Sequence, residues 1–173
     1  NSNKGVSGAN SVVEGNGWDI VLTHSGLYDG LNVFAGWSTI EQNATIGDRD
    51  MKAIGATYAV GGATLGYQYS KDEEPGADAE HYENHAYGVS FSVNDNLAIS
   101  YGIHESKRNS TAIELEATSI QLSYTVGGAS VKIAENSADN TNYVSGSNSE
   151  GRTVAVSYTN LRAHETQRNL VCR

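Results

Sequence analysis

From Trp18 to Tyr158 apolar side chains recur at every second position, in nine separate runs. In order they are Trp18, Ile20, Leu22; Leu31, Val33, Ala35, Trp37; Ile54, Ala56, Tyr58, Val60; and Ala63, Leu65, Tyr67, Tyr69. The second half continues with Tyr87, Val89, Phe91, Val93; Leu97, Ile99, Tyr101, Ile103; Ile120, Leu122, Tyr124, Val126; Ala129, Val131, Ile133; and Val154, Val156, Tyr158. A period of two belongs to the strand, whose side chains alternate between faces, so each run predicts one strand. No stretch has a helical period.

The connections alternate as regularly as the residues. Short turns fall at 25–30, 61–62, 94–96 and 127–128, and long polar stretches at about 41–51, 71–84, 105–117 and 135–151. Two of the turns are Gly-Gly, set in the near-repeats TYAVGGATLGY (57–67) and SYTVGGASVKI (123–133). Glycine suits the positive φ of tight hairpins. The near-repeat is consistent with hairpin duplication, and shared turn chemistry explains it equally well. Short and long connections at opposite ends predict an up-and-down antiparallel sheet. Short turns at one end and longer loops at the other characterise outer-membrane barrels. Greek-key sandwiches interrupt such a series with crossovers.

The second face of each predicted strand says which side meets water. It carries small, mostly neutral side chains, among them Gln68, Ser70, Ser90, Ser92, Ser100, His104, Gln121, Ser123 and Lys132. The outer face of a soluble sheet more often carries Lys, Glu and Arg. Small polar groups suit the inner wall of a water-filled barrel, so these nine are the candidate pore-lining residues. Wall filler, with no individual role, is the plainer reading of each. The aromatics form two groups on the apolar face: Trp18, Trp37, Tyr69 and Tyr87 near the long loops, and Tyr58, Phe91, Tyr124 and Tyr158 near the short turns. That is the placement of interfacial girdles. A sandwich core would concentrate bulk at mid-strand, where only Tyr67 and Tyr101 lie.

Composition fits this reading. There are 19 Gly and one Pro in 173 residues, and Pro removes a ladder donor. No run approaches the roughly 20 apolar residues of a membrane helix, a test that does not detect barrels. The formal net charge of −9 excludes the basic footprint of a nucleic-acid binder. The acidic segment KDEEPGADAEHYE (71–83) reads as a solvated loop. It lacks the D-x-[DN]-x-[DN]-G pattern of a calcium loop.

The chain opens without a secretion signal or an initiator Met and so reads as an internal fragment. Its end, VSYTNLRAHETQRNLVCR (156–173), loses the alternation and resembles a conceptually translated transposase-type sequencing adapter, with Asn160 departing from that pattern. Residues 1–158 therefore form the barrel segment and 159–173 a non-native or disordered tail. Without 156–173 the chain has 8 basic against 19 acidic residues and no cysteine.

The segments AYGVSFSVNDNLAISYGIHESKR (86–108) and SIQLSYTVGGASVKIAENSADNTNYVSG (119–146) resemble the C-terminal hairpins of Gram-negative general diffusion porins, especially the alphaproteobacterial type. The likeness extends in pattern from about Trp18 to Val156. It implies an all-β, antiparallel up-and-down transmembrane β-barrel, with these as the last nine of 16 strands. It also implies a homotrimer in the outer membrane, contacts with lipid and lipopolysaccharide, and passage of small hydrophilic solutes without a cofactor. The family's terminal aromatic cannot be transferred, because the adapter-like tail stands in its place. Its inward constriction loop lies earlier in the family chain.

Catalytic patterns are absent. There is no G-x-S-x-G elbow and no H-E-x-x-H. HYENH (81–85) has histidines at i and i+4, but a metal pair at that spacing needs a helix. Asn43-Ala44-Thr45 and Asn109-Ser110-Thr111 match glycosylation sequons, with little meaning in a bacterial outer membrane. The competing expectations are a structural or adhesive barrel, whose lumen would be plugged by paired charges, and a soluble β-sandwich binding module.

Overall fold

The computed structural model describes residues 3–4, 14–41, 47–76 and 80–158. Nine strands form one sheet: β1 (Gly17–His24), β2 (Leu31–Ile40), β3 (Arg49–Val60), β4 (Ala63–Glu73), β5 (His81–Asn94), β6 (Leu97–Arg108), β7 (Leu115–Val126), β8 (Ala129–Asp139) and β9 (Ser149–Tyr158). Each strand pairs antiparallel with its neighbours in sequence, and β1 and β9 are the two open edges. The chain is thus all-β, an up-and-down antiparallel meander that does not close on itself. A two-residue ladder pairs Asn3–Lys4 with Glu14–Gly15 outside this sheet.

Register makes the faces continuous. The row Val60, Ala63, Phe91, Ile99, Leu122, Ile133 and Val154 runs unbroken from β3 to β9, each residue opposite the next. A one-residue slip anywhere would throw half of these side chains onto the polar face. No apolar side chain is buried among the described residues; Leu22 is 69% exposed and Val156 71%. One open sheet has nothing to cover this face. Each such side chain left in water forgoes about 1.5–3 kcal/mol of burial.

The turns follow the sequence, with one difference. Both Gly-Gly hairpins are two-residue loops, closed by Val60 opposite Ala63 and Val126 opposite Ala129. Gly127 and Gly128 both have positive φ, 57° and 84°, as a type I′ turn requires. In the other hairpin only Gly61 is positive, at 57°, the pattern of type II′. At 94–96, Asn94 Oδ1 accepts the N–H groups of Asn96 and Leu97 at 2.9 Å, and a bulge falls between Ser92 and Asn94.

The long connections are shorter than the alternation predicts, spanning 41–48, 74–80, 109–114 and 140–148. Both ends of 71–83 are therefore strand rather than loop: Lys71–Glu73 end β4 and His81–Glu83 begin β5. Charge pairing explains the extension, since opposite charges on neighbouring strands stabilise a ladder. Lys71 meets Glu83 at 3.8 Å and Lys52 meets Glu73 at 3.3 Å. At the other end, β9 runs through Val156, Ser157 and Tyr158, which pair with β8, so the ladder continues past the start of the adapter-like resemblance. The rest of that tail, and the sequon at 43–45, lie outside the described residues.

Candidate functional site

All nine candidate wall residues fall on one face. Ser90, Ser100 and Gln121 stand in one row, and Ser92, Ser123 and Lys132 share another, in which Ala98 stands between Ser92 and Ser123. Gln68 lies opposite Gly55 and Ala86, and Ala86 in turn opposite His104. Ser70 faces Asn84, which faces Ser106. Gly66, Gly88 and Gly102 form a row of three on this face, leaving its middle without side chains. Phe34, a large aromatic at a polar-face strand position, lies against Gly55: a Cβ there would come within 2.4 Å of the Phe34 ring.

The apolar face has two margins, and both cut the ladder obliquely. Relative to the row through Val60 and Val154, apolar positions continue six residues towards the long loops on β3 and β4, to Ile54 and Tyr69. They continue four residues on β5 and β6, to Tyr87 and Ile103, and two on β7, to Ile120. On β8 and β9 they stop at the row itself, with Glu135 and Arg152 next on that face. The aromatics near the short turns descend in parallel. Tyr58 is two residues above the row, Phe91 on it, Tyr124 two below and Tyr158 four below. One residue of drop per strand is about 3.3 Å for every 4.8 Å crossed, so the strands incline about 35° to the normal of the band.

At the long-loop end the polar face is not neutral. Arg49 Nε donates to Asp72 at 2.8 Å, with a second guanidinium contact to the same carboxylate, and Ser38 donates to Asp19. Arg108 reaches Glu80 at 3.4 Å, and its guanidinium packs 4.8 Å over the ring of Tyr143. Ser106, only 4% exposed, donates to Asn84 Oδ1 at 2.6 Å and shares a 2.7 Å hydrogen bond with the Tyr143 hydroxyl. Tyr82 completes the cluster, its ring 5.9 Å from that of Tyr143. Tyr82 also donates to the Glu80 carboxylate, and this bond, with the field of Arg108, holds Glu80 below the usual carboxylate range.

None of these residues was among the candidates. Asn84, Ser106 and Arg108 have the parity of Ser70 and His104, so carrying the alternation four residues past His104 on β6 and two residues before Ala86 on β5 would have reached them. Tyr143 carries no such signal, because it sits in a loop and arrives on the face by folding across β7.

On the opposite face, the candidate girdle residues near the long loops also step down the ladder. Trp18 lies opposite Thr39, two residues above Trp37; Trp37 lies opposite Lys52, two above Ile54; and Tyr69 lies opposite His85, two above Tyr87. Trp18 and Trp37 are 5.9 Å apart. Just beyond them Lys52 packs 5.1 Å over Trp37. His81 and His85 do share this face, because a strand as well as a helix brings i and i+4 to one side. Four strand residues separate them by about 13 Å, too far for one metal ion. No group of three or more metal-binding side chains is clustered among the described residues.

The sequence matches no protein-family model and no curated protein.

Proposed function

We propose that these nine strands are part of the wall of an outer-membrane porin, a water-filled barrel that passes small hydrophilic solutes and ions. One observation carries this: a continuous apolar face, none of whose described side chains is buried, bounded by two parallel oblique margins, the lower of them a row of aromatics. Margins set by a flat bilayer must cross tilted strands obliquely, and an inclination of about 35° falls in the range for transmembrane barrels. A sandwich partner would impose no such plane.

The apolar band covers seven residues on β3, from Ile54 to Val60, or roughly 23 Å of strand. Tilt reduces its height to about 19 Å, below the ~25 Å band of outer-membrane barrels, and Trp37, opposite Lys52, extends it towards the long loops. Lys52, Lys71 and Lys107, just beyond the girdle, suit the anionic headgroups of lipopolysaccharide. On this reading solute selection comes from the width of the lumen and the groups lining it. Gln68, Ser70, Ser90, Ser92, Ser100, His104, Gln121, Ser123 and Lys132 face the water. Closure, and with it a trimer, requires further strands at the edges β1 and β9, since lipid leaves no unpaired ladder groups satisfied.

The second reading, a structural barrel with a blocked lumen, draws support from the paired charges Arg49–Asp72 and Arg108–Glu80 on the polar face. Single-channel recording of the full-length protein in a planar bilayer separates the two. Discrete conductance steps are expected. Their absence from protein that is folded and inserted would overturn the transport reading in favour of the structural one.

A further inference from the structure

We infer that loop 140–148 is an occluding element of the pore, held over the polar face by Tyr143. The inference rests on the transport reading and adds to it a specific residue that sets the width and charge of the passage.

The route of the loop carries it. The loop leaves β8 at Asp139 and returns at Ser149 to start β9. Its Tyr143 nevertheless contacts Ser106 and Arg108 on β6 and Tyr82 on β5, two and three strands away. All three belong to the polar face, because Tyr82 lies opposite Arg108, and Ser106 opposite Asn84 and Ser70's row. Two strand steps are about 9.6 Å, so the segment must lie across the polar side of β7. Water that enters from the long-loop end meets it there.

The backbone is bent to do this. Asn140, Asn142 and Tyr143 all have left-handed φ, at 54°, 57° and 59°. Asn tolerates that region, whereas a bulky aromatic in it marks a conformation that the surroundings must enforce. The neck is closed by hydrogen bonds from the Asn140 amide to the Glu114 carbonyl at 3.0 Å and from Gly146 N–H to Asn140 Oδ1 at 3.1 Å. Thr141 N–H and Oγ1 both reach the Ser147 carbonyl, at 2.7 and 3.0 Å. The anchor is equally specific: the tyrosine hydroxyl meets the buried Ser106 hydroxyl while the ring covers the Arg108 guanidinium. Tyr143 therefore does two things at once. It fills cross-section, and it keeps one cation of the wall from facing the solute.

Removing the side chain should widen the passage and uncover that cation. In planar bilayers, the full-length protein carrying Tyr143→Ala should conduct about 1.5-fold more than wild type, with the reversal potential in a salt gradient shifted towards anions. Tyr143→Phe, which keeps the ring over Arg108, should leave the ion preference unchanged. A second measurement does not depend on loosening the loop. Asn142→Cys, in a background without Cys172, should lose conductance when labelled with a bulky charged thiol reagent, because residue 142 lies next to Tyr143 in the segment that crosses β7. Heat-modifiable migration verifies that each variant is folded. If wild type conducts, and Tyr143→Ala and labelled Asn142→Cys both conduct as wild type with unchanged selectivity, the loop does not occlude and the inference is overturned. If folded wild type itself gives no steps, the transport reading has failed instead.

Discussion

The two ends of the sheet are built differently. At the short-turn end the chain reverses in two residues at Gly61-Gly62 and Gly127-Gly128, and no ion pair among the described residues joins neighbouring strands there. At the long-loop end strands are tied by Arg49–Asp72, Lys71–Glu83 and Arg152–Glu135, and a loop is bent inward onto Ser106. One end is held by local backbone geometry and the other by side chains distant in sequence. Mid-sheet, between them, only the choice of solvent on each face matters.

The largest effect is expected in that middle zone. Ile99→Arg places a charge on the apolar face, where a membrane barrel loses about 2–4 kcal/mol near the bilayer midplane. Ser123→Arg, on the polar face one strand away, should cost about 1 kcal/mol or less. Urea unfolding of the full-length protein in lipid vesicles measures both. Equal losses would remove the difference between the faces on which the functional reading stands.

Next come the two ends. Gly30 has φ +76°, and a Cβ there would stand 2.2 Å from the Ala59 carbonyl oxygen, so Gly30→Ala should cost about 2–3 kcal/mol. Gly127, at φ +57° with open space around it, should lose only about 1 kcal/mol on the same change. At the long-loop end Ser106→Ala leaves Asn84 and Tyr143 without their shared partner, for about 1–3 kcal/mol. If Gly127→Ala proves the more damaging of the two glycine variants, close approach to Ala59 is not what constrains the first turn.

How much of this was legible in the sequence follows the same division. Alternation gave all nine strands and put the nine candidate residues on one shared face, because a strand's period is local and survives without its partners. The Gly-Gly turns were legible too, although identical dipeptides do not make identical turns: Gly62 lacks the positive φ of Gly128. The strand extensions through Lys71–Glu73 and His81–Glu83 were not legible. Charged residues read as loop until cross-strand partners are known, and Lys71 meets Glu83 only once the register is fixed. Tyr143 was the least accessible, since its position depends on a loop crossing β7 to reach Ser106. Alternation also put the candidate girdle aromatics on the apolar face, while their oblique descent depends on the register between strands.

The smallest effect sharpens the contrast by pH. The Glu80 carboxylate, in a loop at the long-loop end, accepts a hydrogen bond from Tyr82, lies 3.4 Å from Arg108 and accepts another from Ser110. These lower its pKa from the ordinary 4.5, the Tyr82 bond most and the charge of Arg108 next. A carboxylate with a depressed folded-state pKa contributes stability that is fully present above the unfolded value and is lost as pH falls through the folded one. Wild type and Glu80→Gln should therefore differ by a constant amount from pH 7 down to about 5, and the difference should shrink as pH falls below about 4.5. Exposure and screening keep that amount small. Measuring unfolding midpoints of the pair across pH isolates Glu80, because every other carboxylate titrates in both proteins. The Gly61-Gly62 and Gly127-Gly128 turns contain no titratable group, so hydrogen exchange at their amides, corrected for its intrinsic pH dependence, should not respond to the substitution. A difference between wild type and Glu80→Gln that grows on acidification would mean that Glu80 is strained in its corner rather than stabilised by Tyr82 and Arg108.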